Sequence, residues 1–281
     1  MKKIITLLAL GFSFSLMAQQ EVICHTSSTE KFALLASNKT FNNEHPMPRV
    51  YTHVSQAGGQ MIKVKCSDGT DANAYFLKAT KPTNNWIFVF QEWWGLNDNI
   101  KRHAEDLFKD LGNVNVLALD MYDGKLATDR EMAGKYMGEF KQTRGDIIVK
   151  GALAYAGPKA KVGTVGWCFG GGQSLLATLN ASKQAAACVI YYGMPVDNVE
   201  TLKALNCDVL GIFAGKEKWI GPEVVKKFED NMKAAGKNLT VKSYDADHGF
   251  ANPSNPMGAF NADAAADAYK NTISFFKGKL K

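Results

Sequence analysis

The chain has 281 residues, 46% of them hydrophobic and 21% charged, with a formal net charge of +6. This is ordinary globular composition without repeats or low-complexity tracts, and it favours one large domain. The basic residues are spread without a basic run, and only Arg49, Arg102, Arg130 and Arg144 are arginines. That distribution reads as a solvated surface and argues against nucleic-acid binding.

Met1-Lys2-Lys3 forms a basic start, Ile4 to Leu16 is mostly apolar, and Ala18 precedes Gln19. The pattern predicts a secretory signal peptide over residues 1–18, because the apolar part is shorter than the ~20 residues of a membrane span. Cleavage removes Lys2 and Lys3, which lowers the formal charge from +6 to +4. The expected mature protein is periplasmic or extracellular and free of the membrane. Cys24 is not preceded by small residues, so a lipoprotein site is not expected.

Residues 19–59 read as a polar, irregular N-terminal extension, and 60–281 as the main domain. Two alternating runs around Ser67-Asp68-Gly69 predict a hairpin. The continuous apolar run at 86–92 predicts a buried strand. A helix follows, with Ile100, Ala104, Leu107, Phe108 and Leu111 at helical spacing, Asn97 or Asp98 as cap and Gly112 as stop. Further strands are expected at 114–120, 161–167, 186–193, 207–215 and 239–247. Helical regions are expected at about 128–157, 169–182, 222–235 and 262–278. Alternating strand and helix predicts an α/β fold: a mostly parallel sheet with helices on both faces. Chemistry in such folds gathers at the carboxyl ends of the strands.

The strand at 161–167 runs into Gly166-Trp167-Cys168-Phe169-Gly170 and then a helix. Gly-x-Cys-x-Gly between strand and helix has the form of a nucleophile elbow with cysteine in place of serine. A helix N-terminus favours a thiolate, and the Phe169 N–H can bind a developing oxyanion. A phosphate-binding loop is the rival reading, but Gly163, Gly166 and Gly170 do not fit G-x-G-x-x-G and no Gly-Lys-Ser/Thr follows. Of the five histidines (His25, His45, His53, His103, His248), only His248 follows a late strand, where the general base belongs. His103 is expected to face solvent. Glu217 follows the penultimate strand and is favoured as the acid that orients His248, with Asp197 as rival. Glu92 ends the first buried strand beside Trp93 and Trp94. It is either an active-site acid facing Cys168 or a surface acid capping the next helix. Trp93 would supply the second oxyanion N–H. Trp94, Tyr122, Tyr192 and Arg130 are candidates to contact substrate.

The five cysteines are Cys24, Cys66, Cys168, Cys188 and Cys207. An odd count leaves at least one free thiol. Export permits a Cys24–Cys66 staple, and Cys188 and Cys207 are expected to be buried thiols. No C-x-x-C pair occurs, so neither a zinc site nor a thioredoxin-like motif is indicated.

Taken in order, "QEWWGLNDNIKRHAEDL", "LALDMY", "VGTVGWCFGGGQSL", "YYG" and "DADHGFANP" resemble the dienelactone hydrolase family of α/β-hydrolases, over roughly residues 60–281. The resemblance implies the α/β-hydrolase fold and hydrolysis of a small-molecule ester or lactone by a Cys-His-acid triad. It implies no metal or organic cofactor, and the assembly is expected to be a monomer or small homo-oligomer. It also implies an interaction between Glu92 and the Cys168 thiol, and oxyanion-hole positions at Trp93 and Phe169. Two positions depart from the family. Glu217 stands where aspartate is usual, and Asn252 stands where the dienelactone-cleaving enzymes place an arginine that grips a substrate carboxylate. Acyl transfer on the same site, or a non-catalytic secreted binding protein with this fold, are the alternatives.

Overall fold

A computed structural model describes residues 27–45, 47–254 and 259–281. The expected signal peptide, Cys24, His25 and the Cys24–Cys66 pairing lie outside the described residues.

The extension departs from its irregular expectation. It forms α1 (Ser28–Ala36) and α2 (Lys39–Glu44). Ser27 and Glu30 make a reciprocal capping box for α1, and the Asn38 side chain accepts from the first N–H groups of α2. Helices this short are marginal in isolation. They are held here by Phe32, Ala36 and Phe41, which are buried in the main core. Residues 53–57 are then clamped onto the body by buried Glu105, which accepts from the Ser55 hydroxyl and from the Gln56 and Ala57 N–H groups at 3.0 and 3.2 Å. Burial alone would raise the Glu105 pKa, but these donors hold it down at about 2.

β1 (Gln60–Val64) and β2 (Ala72–Leu77) form the expected hairpin. Then come β3 (Asn85–Phe90), α3 (Asp98–Leu111), β4 (Asn115–Leu119), α4 (Arg130–Glu139), α5 (Gln142–Ala156), β5 (Lys161–Trp167) and α6 (Phe169–Ala181). The chain closes with β6 (Ala185–Tyr191), the short α7 (Val199–Leu202), β7 (Val209–Ala214), α8 (Pro222–Ala234), β8 (Leu239–Tyr244) and α9 (Ala262–Lys279). The sheet runs β1-β2-β4-β3-β5-β6-β7-β8. β1, β2 and β4 are antiparallel in turn, and every later pairing is parallel.

β5 shows why the central strands are mostly apolar. Successive residues point to opposite faces. On one face the Gly163 position abuts Phe276 of α9. On the other, the Thr164 hydroxyl donates to the Ser174 carbonyl of α6 at 3.1 Å. Both faces are covered by helices, so a polar side chain such as Thr164 persists there only with its hydroxyl hydrogen-bonded.

Several sequence readings need correction. The helical region at 128–157 is two helices, because Phe140 takes an extended backbone (φ −62°, ψ 130°). Its ring packs 5.0 Å from Phe169, and that contact fixes the break. The last strand stops at Tyr244, well short of residue 247. His103 is half-buried rather than solvent-facing: it stacks on Trp167 at 4.7 Å, and burial pushes its pKa down to about 3. Cys188 is a fully buried thiol as expected, whereas Cys207 is only half-buried and precedes β7.

Candidate active site

The carboxyl ends of β3, β5, β7 and β8 bring the candidate residues together. Cys168 sits on the β5–α6 turn with φ 58° and ψ −120°. A positive φ is costly for a residue with a side chain and persists only where its surroundings enforce it. The flanking glycines do so. A Cβ at Gly166 would lie 2.1 Å from the Gly170 carbonyl oxygen, and one at Gly170 would lie 2.4 Å from those of Phe90 and Gln91. The backbones of β3, β5 and α6 therefore close up tightly, and the turn lifts Cys168 above the sheet edge. The Phe169 N–H, in the first turn of α6, is directed at the Cys168 sulfur.

His248 lies in the turn after β8. Its Nδ1 is 2.8 Å from Glu217 Oε1. The two loops meet because β7 and β8 are neighbours, and their pairing continues past the strands: Gly215 N–H donates to the Tyr244 carbonyl at 2.7 Å and Lys216 N–H to that of Ala246 at 3.1 Å. Asp197 is elsewhere, paired with Lys31 and, at 3.4 Å, with Lys227. A carboxylate at Nδ1 fixes the proton there and turns Nε2 toward Cys168. Burial pulls the His248 pKa down, but Glu217 and then the Cys168 thiolate outweigh it, so the imidazolium is held well above its ordinary range once the thiol has given up its proton. Burial pushes the Cys168 thiol up, against the pull of His248, and Glu92 adds to the rise. Thiol and imidazole thus lie side by side, although Nε2 makes no well-aligned hydrogen bond among the described residues.

Glu92 is not a surface cap. It is only 6% exposed, and its Oε2 accepts from Asn252 Nδ2 at 2.9 Å. Burial pushes its pKa up to about 7, against the influence of His248 and of the Asn252 hydrogen bond. Asn252, noticed in the sequence only as a missing arginine, is thus the residue that positions Glu92. Trp93 lines the cavity beside Cys168, and neither its N–H nor that of Phe169 has an acceptor oxygen among the described residues.

Cys168, His248, Glu92, Trp93 and Trp94 line one cavity of about 20 Å³, which holds roughly one water. The other substrate-contact candidates stand back from it. Tyr192 packs behind His248, rings 4.9 Å apart. Tyr122 covers Phe169 at 5.5 Å, and its hydroxyl meets Met137. Arg130 begins α4, outside the cavity lining.

The rest of the lining was not anticipated. Glu44, His45 and Pro48 come from the extension. The Phe41 ring lies 5.7 Å from Trp93, and the His45 ring 4.5 Å from His248. Glu44 is held by Lys218 Nζ at 3.1 Å and Trp219 Nε1 at 2.9 Å. Nothing in the periodicity of residues 19–59 marks these residues, because what they touch lies far along the chain.

A sheet of this order, an elbow at its centre and a histidine beyond its last strand define an α/β-hydrolase. Residues 72–280 match the model of the dienelactone hydrolase family, and the chain belongs to that family. It is thereby a hydrolase of the ester- and lactone-cleaving class. Among relatives, Protein usf of Aquifex pyrophilus is 28% identical over 234 residues, covering 79% of this chain and 99% of that one. Among solved structures, a dienelactone hydrolase-like promiscuous phosphotriesterase from metagenomic libraries is similar with a TM-score of 0.65 at 23% identity, covering 79% of this chain and 99% of that one. The dienelactone hydrolase of Anabaena variabilis ATCC 29413 is similar with a TM-score of 0.56 at 18% identity, covering 81% of this chain and 100% of that one. At these identities the two structures speak to the fold.

Proposed function

We propose that this protein is an exported hydrolase that cleaves a carboxylic ester or lactone through Cys168, His248 and Glu217. The observation that carries the reading is the juxtaposition at one sheet edge of the elbow thiol with an imidazole whose far nitrogen is 2.8 Å from a buried carboxylate. His248 Nε2 takes the thiol proton as the sulfur attacks the carbonyl carbon. The resulting oxyanion is bound by the N–H groups of Trp93 and Phe169, which are fixed by the backbone before reaction. The tetrahedral species collapses, the C–O bond breaks, and the leaving alkoxide takes the proton from His248. Water then attacks the thioester as His248 removes its proton, and that proton returns to the thiolate as the acid departs. Glu217 holds the imidazole in the productive tautomer and stabilises its charged form throughout. No step calls on a metal or organic cofactor.

Glu92 acts on the resting thiol: a buried carboxyl near Cys168 disfavours the thiolate until substrate arrives. Asn252 is engaged with Glu92 and offers no cation to a substrate carboxylate, which argues against dienelactone itself as substrate. Export rests on the character of residues 1–18, and intact-mass analysis of the processed protein should find Gln19 at its start. The reading is tested by turnover of a panel of small neutral esters and lactones by residues 19–281. Turnover is expected in the parent and not in Cys168→Ala; equal turnover in both would exclude the thiol mechanism.

A further inference from the structure

The extension lies outside the matched region 72–280, yet it places an imidazole in the candidate site. His45 follows α2 and is 93% buried, stacked on Phe41 at 3.8 Å and 5.7 Å from the Trp93 ring. Its Nδ1 is 2.5 Å from the Phe41 carbonyl oxygen. A carbonyl can only accept, so Nδ1 carries the proton and Nε2 presents a lone pair. That Nε2 is buried and has no hydrogen-bond partner among the described residues. Burial, reinforced by the neighbouring His248, pushes the His45 pKa down to about 3, so the ring is a neutral acceptor at ordinary pH.

An unmatched buried acceptor is costly and calls for an explanation. Its surroundings supply one. His45 lines both the small cavity beside Cys168 and an adjoining cavity of about 290 Å³ that it shares with Glu44, Glu217 and His248. It therefore stands on the boundary between the larger space and the thiol. In the small cavity Glu44, Glu92 and the Nε2 lone pair would all repel a substrate carboxylate. Among the described lining residues of the small cavity the cationic group is His248, already matched by Glu217; the lysines of the larger cavity, Lys216 and Lys218, are engaged by Asp245 and Glu44 at 3.1 Å each. A hydroxyl or N–H would be welcomed instead.

We propose that His45 is a specificity-determining residue whose Nε2 accepts a hydrogen bond from a hydroxyl or N–H beside the scissile carbonyl of a neutral ester or lactone. The inference rests on the ester-hydrolase reading above. A pocket built to meet a donor discriminates strongly against the analogue that lacks it.

The test compares kcat/KM for two matched pairs: a 2-hydroxy ester with its 2-methoxy counterpart, and the monoester of a 1,2-diol with its methyl ether. The parent is expected to favour the hydroxyl member of at least one pair by about 10-fold or more. In His45→Phe, which keeps the stacking but not the acceptor, that ratio should fall toward one. In His45→Gln, whose amide oxygen accepts, most of it should survive. If His45→Phe fails to fold, His45→Leu provides the same comparison. A parent without the preference, or a ratio unchanged in His45→Phe, would overturn the inference while leaving the hydrolase reading intact. Failure of all four esters to turn over while the wider panel of neutral esters is cleaved would overturn the inference alone, and failure of that panel as well would overturn the thiol mechanism with it.

Discussion

His248 and Glu217 form a directional pair, and the direction matters for catalysis. The carboxylate accepts from Nδ1, so only Nε2 is free to exchange protons with the thiol. Glu217→Gln can offer an amide N–H in place of the acceptor and so favours the wrong tautomer. We expect kcat to fall by about 10²–10⁴-fold with a folded protein, and steady-state kinetics beside a melting curve checks this. Glu92 makes a second residue-level prediction, this time for stability. Its folded-state pKa of about 7 lies above the ordinary 4.5, so the folded protein binds the proton more tightly than the unfolded chain does. Its contribution is therefore complete below about pH 4.5 and is lost as pH rises through about 7, an effect of about 3 kcal/mol. Glu92→Gln cannot ionise. The Tm of the parent relative to this variant should fall between pH 5 and pH 8, and parallel profiles would show that Glu92 is already ionised at pH 5.

At the scale of elements, the β5–α6 turn is a junction where backbone meets backbone. Gly170→Ala would drive a methyl into two carbonyl oxygens at 2.4 Å, and backbone cannot move aside as a flexible side chain can. The expected cost is about 3 kcal/mol or more, read as a lower Tm and poor soluble yield. The strands and long helices were legible because each carries its own signal: continuous apolar runs for β3 to β7, and for α3 an apolar stripe with the Asn97 cap and Gly112 stop. The break between α4 and α5 was not legible, because Phe140 leaves helical geometry to pack on a ring contributed by α6. α1 and α2 were missed for a related reason. Their capping residues Ser27, Glu30 and Asn38 are visible in the sequence, but with only nine and six residues they show no apolar period.

Across the whole molecule, the extension is the outer wall of the site. Phe32 lies 6.1 Å from Phe169, Phe41 5.7 Å from Trp93, and the space beside Cys168 is about 20 Å³. A bulky disulfide reagent should therefore label Cys168 slowly in the folded parent. Phe41→Ala removes the ring that seats α2, at a cost of about 3–5 kcal/mol. It should speed labelling of Cys168, identified by peptide mapping, by about 10-fold or more. Equal rates in parent and variant would mean that the extension does not limit access to the thiol.

The sequence by itself determined the α/β architecture, the elbow, and the chain order of cysteine, acid and histidine. Those features are written in local patterns: apolar runs, helical spacing, and glycines that a sharp turn demands. Only the tertiary structure decided that Glu217 rather than Asp197 meets His248, since that depends on β7 and β8 lying side by side. It alone decided that Glu92 is buried against Asn252 and that His45 enters the cavity, because burial and proximity belong to the packed chain as a whole and cannot be read from neighbours in sequence.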